Sequence, residues 1–273
     1  MITATPSTAL AMIQPAFTDA GRLALAGVPG RVSRADRDTQ TAGHVEGGRL
    51  APSWRVTELF RDANAGAADN DRQEAGMRKV IANEWMTLDG VVQAPGYADE
   101  DLTGGFGHGG WHTRYLDEVS MNWVIENVRG AGGYLLGRGT YEIFAAHWPE
   151  APDEQHVLAG PLNALPKYVA STTLGEPLGW RNSRLLRGDI GGAVRALKAE
   201  GGKDLHVIGS PGLVQTLMAL GLLDELRLMI DPLVAGGGKR LFRDDGALRS
   251  LRLADSQVTS TGAIIATYAA AGG

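Results

Sequence analysis

The feature that most restricts the fold of this sequence is an alternation of short apolar runs with amphipathic stretches, which begins at Met77 and continues toward the C-terminus. Apolar residues at helical spacing predict helices, and the short apolar runs between them predict strands. Strands that alternate with helices favour an α/β fold, with a central, mostly parallel sheet and helices on both faces. Strands are predicted at residues 80–82, 134–136, 167–170, 205–208, 226–230 and 263–267, and helices at 115–128, 138–147, 190–200 and 213–220.

Residues 1–76 lack this alternation and are rich in Ala, Gly, Arg and Asp. Such a segment has little apolar surface to offset the entropy that is lost on ordering. We therefore expect residues 1–76 to form a disordered or weakly ordered extension, and residues 77–273 to form one domain. A second interpretation is that the extension is an artefact of the assigned start, because Met77 is followed at once by a predicted strand. The mass of the native product would decide between the two.

The composition narrows the classes of protein to which the chain belongs. Cysteine is absent from the 273 residues, which excludes disulfides and thiolate metal sites and fits a reducing cytoplasm. A formal net charge of -5 offers no basic field for nucleic acid. No apolar run approaches the roughly 18 residues of a membrane span, and the N-terminus lacks the pattern of a secretory signal. We expect a cytoplasmic protein that binds neither nucleic acid nor membrane.

Two predicted turns between a strand and a helix carry residues suited to a dinucleotide. Ligands of open α/β sheets bind at the carboxyl ends of the strands. In the first turn, Gly137 permits close approach, the helix start offers free N–H groups, and Arg138 adds a planar charge for phosphate. A plain connection with a surface arginine is the competing interpretation. In the second turn, residues 208–212, Ser210 suits an N-cap and Pro211 the first helical position, which is a complete structural explanation. Two such helix starts facing one crevice could hold a pyrophosphate.

Two further strand ends have ambiguous polar residues. Ser171 and Thr172 follow a predicted strand, and their hydroxyls suit either a ribose or phosphate contact or a local turn. Asp89 precedes Gly90 after the first strand, a pair typical of a tight turn. The functional alternative is that the Asp89 carboxylate lies at the mouth of the sheet, where it orients a substrate or relays a proton.

A glycine-rich segment at residues 104–112 predicts a mobile loop that carries two aromatic residues. Phe106 and Trp111 would be costly to leave in water, so we expect a loop that closes over a small-molecule substrate near Trp111. The alternative is that Trp111 anchors the loop on the core. His108 and His112 lack an acidic partner at helical spacing, so no metal site is predicted there.

Taken together, residues 77–273 resemble the dihydrofolate reductase-like family related to the C-terminal reductase domain of the bifunctional riboflavin-biosynthesis deaminase/reductase. The order and spacing of several short segments carry the resemblance. These segments are residues 87–90, 108–111, 135–142, 167–174, 207–210, 221–226 and 232–242.

The resemblance implies a dihydrofolate reductase-like fold, NADPH as cofactor, and a homodimer. Many relatives have arginine where this chain has Thr172, so we expect Arg138 to recognise the 2′-phosphate instead. Carried over residue by residue, it assigns Gly137, Arg138 and Thr140 to the cofactor phosphates, Ser171 and Thr172 to the adenosine ribose and its 2′-phosphate, and Gly209, Ser210, Gly212 and Leu213 to the pyrophosphate.

Two departures from the family narrow the expected function. The zinc deaminase half of the riboflavin enzyme needs cysteine ligands, and this chain has none. The Leu-Pro-Trp pattern of folate reductases is also missing, so a folate substrate is not supported. We therefore expect an NADPH-dependent reductase that transfers hydride to a C=N or C=O bond of a small heterocyclic substrate, with Asp89 as the candidate catalytic residue. The alternative is a non-catalytic or flavin-binding dimeric ligand-binding protein of the same fold.

Overall fold

An eight-stranded sheet runs through residues 76–270, the part of the chain that the computed structural model describes. The predicted extension, residues 1–76, therefore lies outside the described residues except for Gly76. The strands are β1 (Val80–Thr87), β2 (Gly133–Gly137), β3 (Lys167–Ala170), β4 (Ser183–Leu186), β5 (Leu205–Ile208), β6 (Glu225–Asp231), β7 (Leu251–Val258) and β8 (Ile264–Ala270). The α-helices of this range are α1 (Glu118–Gly130), α2 (Arg138–His147), α3 (His156–Ala164), α4 (Ile190–Ala199) and α5 (Pro211–Ala219).

The strands follow the order β4-β3-β2-β5-β1-β6-β8-β7 across the sheet. The first six strands of this order pair in parallel, whereas β8 pairs antiparallel with β6 and β7. The carboxyl ends of the six parallel strands therefore lie along one edge of the sheet. The predicted mostly parallel sheet is confirmed, and this edge is where a ligand of such a fold binds.

Helices cover both faces of the sheet, as predicted. On one face, side chains of β1, β2, β5 and β6 pack against Val194 and Leu197 of α4 and against Leu217 of α5. On the other face, Leu136 of β2 and Val169 of β3 pack with side chains from α1, α2 and α3. Burial of each large aliphatic side chain contributes about 1.5–3 kcal/mol, so these two layers hold the parallel strands in place.

The boundaries predicted from sequence are correct for several elements and wrong for others. Helix α2, strand β3 and strand β5 have the predicted bounds, and the side chain of Asp189 caps α4 by accepting from the N–H of Gly192. Helix α1 begins at Glu118 rather than Tyr115, because Asp117 and Ser120 form a reciprocal capping box that fixes its start. Strands β4 and β7 and helix α3 were not predicted.

Each missed element has a weak sequence signal for a physical reason. Strand β4 has only two buried residues, and β7 is exposed along nearly its whole length, so neither shows a hydrophobic period. Helix α3 contains Pro161, which normally indicates a helix end. None of the helices within residues 76–270 is long and apolar enough to span a membrane.

Candidate active site

The two predicted helix-start turns lie side by side, because β2 and β5 are neighbours in the sheet. The hydroxyl of Ser210 joins them: it accepts from the N–H of Gly137 at 2.8 Å and donates to Oγ1 of Thr140 at 2.7 Å. Ser210 stands at the N-cap position of α5 in a left-handed conformation, but its side chain makes no capping hydrogen bond. Ser210 therefore occupies the predicted N-cap position, but its hydroxyl locks one turn onto the other instead of capping α5.

Two glycines make this close approach possible. A Cβ atom on Gly137 would lie 2.7 Å from Oγ of Ser210, a separation that real Cβ atoms do not adopt. Gly209 has a φ of +64°, and a Cβ atom there would lie 3.0 Å from Oγ1 of Thr140. The pairing of Gly137 with Ser210 and of Gly209 with Thr140 therefore brings the starts of α2 and α5 together at one point of the crevice.

The first turns of both helices are open to a ligand. No side chain of the described residues caps α2 or α5, and nothing lies within 4 Å of a Cβ position on Gly139 or Gly212. The unpaired N–H groups and the positive ends of the helix dipoles form an environment for anions. Arg138 is exposed beside them. Leu213 is less suited to bind a ligand, since its N–H bonds to the carbonyl of Ser210 and its side chain is buried.

The end of β3 lies next to the end of β2 and shows the local-turn arrangement. Oγ of Ser171 accepts from the N–H groups of Thr173 and Leu174, at 3.1 Å each, and Thr172 is exposed. Gly137, Ala170 and Leu186 pair with one another across β2, β3 and β4. The three residues that follow them therefore lie side by side at the carboxyl ends of these strands. They are Arg138, Ser171 and Arg187.

Arg187 is a second exposed cation at this edge. It was not predicted from the sequence, because it follows the unpredicted strand β4. Its guanidinium donates to the carbonyl oxygen of Leu174. This contact attaches Arg187 to the turn that Ser171 begins.

Asp89 binds a neighbouring loop through both carboxylate oxygens. Oδ1 accepts from the hydroxyl of Thr87 at 2.6 Å and from the N–H of Ala235 at 3.0 Å, while Oδ2 accepts from the N–H of Gly236 at 3.0 Å. Arg240 lies 3.4 Å from Oδ2. The Thr87 hydroxyl, followed by these backbone N–H groups, lowers the pKa of Asp89 to about 2. The carboxylate is therefore ionised at neutral pH and holds no proton to donate. The assignment of Asp89 as a catalytic residue stays a prediction.

An open cleft of about 680 Å³ lies beside Asp89, between the glycine-rich segment and the loop that Asp89 holds. Trp111 is 3% exposed, and its Nε1 donates to the carbonyl of Gln93 at 2.8 Å. Trp111 and Phe106 pack with Val91 in one buried cluster. Trp111 therefore anchors the loop on the core, which was the alternative in the sequence reading, and its ring is not free to stack on a ligand in this conformation.

A buried polar cluster that the sequence reading did not assign lies at the ends of β1 and β6. Nδ1 of His112 lies 2.7 Å from Oδ2 of Asp231, and the imidazole stacks on Trp85 with a centroid distance of 4.5 Å and an interplanar angle of 21°. His112 is 1% exposed and Asp231 0%. Burial raises the pKa of Asp231, and the hydrogen bond from His112 opposes that rise. An aspartate that ends a strand was the available sequence signal.

Glu84 is a second buried ionisable group, on the opposite face of β1 from Trp85. It is 4% exposed, and its Oε1 has no hydrogen-bond partner within residues 76–270. Burial raises the pKa of Glu84 from 4.5 to about 8. The side chain is therefore protonated in the folded protein at neutral pH.

Residues 78–265 match the model of the RibD C-terminal domain. The chain belongs to the RibD C-terminal domain family. The resemblance drawn from the motifs is thereby confirmed, and membership supports an oxidoreductase of the RibD reductase type. Across the described part of this RibD C-terminal domain, no group of three or more His, Asp or Glu side chains is arranged to hold a metal ion.

Relatives of this RibD C-terminal domain include one curated sequence and several solved structures. The protein YyaP of Bacillus subtilis (strain 168), which is uncharacterised, is 32% identical over 199 residues, which span 70% of this chain and 94% of YyaP. A protein of Shewanella sp. PV-4 named for riboflavin biosynthesis is 19% identical with a TM-score of 0.52, covering 71% of this chain and 99% of its own. A pyrimidine reductase-like protein of Corynebacterium diphtheriae NCTC is 16% identical with a TM-score of 0.51, covering 74% and 95%. These structures share the fold, and the dihydrofolate reductase-like fold class is confirmed.

Proposed function

We propose that this chain is an NADPH-dependent reductase that transfers hydride to a C=N or C=O bond of a small heterocyclic substrate. Its membership of the RibD C-terminal domain family supports a reductase. NADPH supplies the hydride when it is bound, and the protein's part is to bind it, to align the substrate and to exclude water.

The observation that carries the proposal is the pair of helix starts that Ser210 locks together. A pyrophosphate carries charge on two adjacent phosphoryl groups, so two N-termini at one point of the crevice suit it better than one. A Cβ atom on Gly139 or Gly212 would meet nothing within 4 Å, so there is open space beside both first turns. Nearby, three buried polar atoms of Trp85, His112 and Asp231 have no partner among the described residues, which fits a ligand that would supply one.

The adenosine end of the cofactor is proposed to lie at the ends of β2, β3 and β4. Arg138 and Arg187 flank the turn at Ser171 and Thr172, and both guanidinium groups are exposed. A 2′-phosphate between two arginines gains charge-assisted hydrogen bonds that NADH lacks. The hydroxyl of Thr172 is exposed and able to bind the ribose or its phosphate. This arrangement supports a preference for NADPH despite the absence of arginine at position 172.

The substrate is proposed to enter from the cleft beside Asp89, above the buried cluster and close to the loop that Trp111 anchors. Asp89 holds Ala235 and Gly236, which line this cleft. It therefore remains our candidate for orienting the substrate, through the loop, rather than for donating a proton.

A homodimer in the cytoplasm completes the proposal. Strand β7 forms an edge of the sheet, and Leu253 and Val258 on it are 52% and 69% exposed. Exposed apolar side chains on an edge strand favour association with a second copy. Light scattering of the full chain should give twice the chain mass, and Leu253→Lys should shift it toward the monomer. A monomeric wild-type protein would contradict the dimer.

The test of the proposed function is a fluorescence titration of the full chain with NADPH and, separately, with NADH. We expect micromolar NADPH binding and a weaker NADH complex. Arg138→Ala and Arg187→Ala should each weaken NADPH binding by about 10-fold to 100-fold, with little change for NADH. Arg129→Ala is the matched control, because Arg129 is also exposed but lies in the last turn of α1, near the amino ends of the parallel strands.

The outcomes separate the proposal from its alternatives. Equal loss of NADPH and NADH in both arginine variants would contradict the assignment of the 2′-phosphate. Absence of binding to either nucleotide would contradict the reductase itself. In that case a yellow purified protein would favour the flavin-binding alternative, and a colourless one the non-catalytic ligand-binding protein.

A further inference from the structure

Half of the buried polar side-chain atoms without partners in residues 76–270 belong to a single cluster. They are Nε1 of Trp85, Nε2 of His112 and Oδ1 of Asp231, three of the six such atoms in this range. Each unsatisfied buried polar atom costs about 1–3 kcal/mol. Apolar side chains of similar shape would fill the same space without this cost. The concentration of unpaired donors and acceptors at one place therefore indicates a function beyond packing.

The geometry of His112 matches that of an oriented acid–base group. Its Nδ1 is bonded to Asp231 at 2.7 Å, and its ring plane is held against Trp85. The backbone of His112 is fixed as well, since its N–H donates to the carbonyl of Pro95 and its carbonyl accepts from the N–H of Tyr115. With Nδ1 committed to the carboxylate, Nε2 is the free nitrogen for proton exchange.

Strand register places this cluster next to the proposed cofactor turns. Asn83 of β1 pairs with Ile208, the last residue of β5, so Trp85 lies two residues further along, level with Ser210. On its other side β1 pairs with β6, where Thr87 is opposite Asp231. The Trp85–His112–Asp231 cluster thus lies at the carboxyl ends of β1 and β6, and the turn that begins α5 follows the next strand, β5, on the other side of β1. Trp85 is partly buried, whereas His112 and Asp231 beside it are fully buried.

We propose that His112 is the proton donor of the reductase and that Asp231 is its positioning residue, an assignment that rests on the proposed function. Hydride adds to the carbon of the substrate's C=N or C=O bond, and the π electron pair moves to the heteroatom. That atom takes the proton from Nε2 of His112, so the N–H bond of the imidazolium breaks as the new N–H or O–H bond forms. The neutral imidazole keeps its Nδ1–H bond to Asp231, and a proton from solvent restores the imidazolium.

The charges near His112 come from a few groups. Asp231 of β6 is the ionisable side chain that contacts it among the described residues. Further along the same face of β6, Arg227 is engaged by Glu225 and Asn127. Beyond Thr87, the ionised Asp89 is held by its loop. The loop that precedes His112 also carries His108, which packs edge-on to Phe106. Tyr115 packs near Trp85. The buried Asp231 is therefore the ionisable group in direct contact with His112 among the described residues.

The first test reads the protonation of His112 without any ligand. In ¹⁵N-histidine NMR of the full chain, His112→Asn identifies the signals of His112. A proton donor requires Nε2 to gain and lose its proton between about pH 5 and about pH 9 while Nδ1 keeps its own proton, hydrogen-bonded to Asp231. Addition of NADP⁺ should shift these signals. An imidazole that keeps one protonation state across that range would overturn the proposal, whatever the result with the nucleotide.

The second test reads catalysis, with NADPH and two probes, 4-nitrobenzaldehyde and 2-methyl-1-pyrroline. His112→Asn should lower kcat by about 100-fold or more and leave the NADPH Kd within about threefold. Asp231→Asn should shift the pH profile of kcat, which a purely structural role would not do. His206→Asn is the matched control, because His206 is also buried but contacts the Asn83 amide instead of a carboxylate.

The two tests together distinguish this inference from the proposed function. If the wild-type chain binds no NADPH, the proposed function fails, and the dyad as its proton donor fails with it. If it binds NADPH but neither probe reacts, the titration of His112 and its response to NADP⁺ decide. If a probe reacts and His112→Asn stays within about threefold of wild type in kcat, His112 is not the donor.

Discussion

Replacement of Glu84 by glutamine removes an ionisable group from the buried centre of β1. Glu84 shares its face of the strand with Ala82 and Met86, and it is opposite Leu228 in β6. Its carboxyl group has apolar neighbours on that face and no partner for Oε1 in the described range. For this reason burial raises its pKa to about 8, compared with 4.5 in the unfolded chain.

The sign and size of the effect follow from these two pKa values. Between pH 4.5 and about 8 the unfolded chain loses a proton from Glu84 that the folded protein keeps. The contribution of Glu84 to the free energy of unfolding is therefore fully present below pH 4.5, falls as the pH rises, and levels off above the pKa of Glu84 in the folded protein. The loss is about 1.4 kcal/mol for each pH unit in this window, or about 3 kcal/mol between pH 5 and pH 7.5. The glutamine variant lacks this loss.

The assay is urea unfolding of the full chain at several pH values in this window, for wild type, Glu84→Gln and the exposed control Glu142→Gln. The free energy of unfolding of wild type should fall by about 1.4 kcal/mol per pH unit relative to Glu84→Gln. Glu142→Gln should follow wild type. Other groups with shifted pKa values, such as the buried His206, cancel because both proteins contain them. Parallel pH profiles for wild type and Glu84→Gln would refute the reasoning.

Three further predictions follow from single contacts. Asp89→Asn should lower turnover with the probes by about 10-fold while NADPH affinity stays unchanged, since the loop loses a charged acceptor; unchanged kinetics would remove Asp89 from the mechanism. Gly137→Ala should weaken NADPH binding and destabilise by about 1–3 kcal/mol, because its Cβ would collide with Ser210. Gly139→Ala is the control for stability alone, since its Cβ would meet open space, and it should not lower the Tm in the same melt. Lys167→Met should lower the free energy of unfolding by about 1–3 kcal/mol, because the buried ammonium binds the last carbonyls of α3; an unchanged Tm would contradict this.

The parts of the fold that could be predicted from sequence are those whose signals are local. Helix α2 carries its own start signal at Gly137, and Asp189 caps α4 within three residues of itself. Strand β7 has no such signal, because its stability comes from pairing with β8 and its side chains face solvent on both sides. A pattern of burial cannot reveal an element that buries almost nothing.

The same distinction separates the site residues that were recognised from those that were missed. Ser210 was expected either to cap a helix locally or, through the family resemblance, to contact the pyrophosphate, and its partners in the fold, Gly137 and Thr140, lie 73 and 70 residues away in the chain. His112 and Asp231 are separated by 119 residues, and only the parallel pairing of β1 with β6 brings the aspartate beneath the loop that carries the histidine. Partnerships of this length depend on strand register, which one sequence read alone does not contain.

The ionisable groups on and beside β1 differ in their surroundings, and these differences indicate which of them is suited to proton transfer. Asp89 follows the strand in a polar turn, stays ionised and holds a loop. His112 and Asp231 lie on one face of the strand as a hydrogen-bonded pair, and Glu84 lies on the other as a neutral acid. Proton transfer needs a group that changes its charge near neutral pH and has a free nitrogen or oxygen facing the substrate. Asp89 fails the first condition. Glu84 lies on the face covered by α4 and α5, away from His112. The histidine pair keeps Nε2 of the imidazole without a partner among the described residues, so it is the group that we propose for the proton transfer.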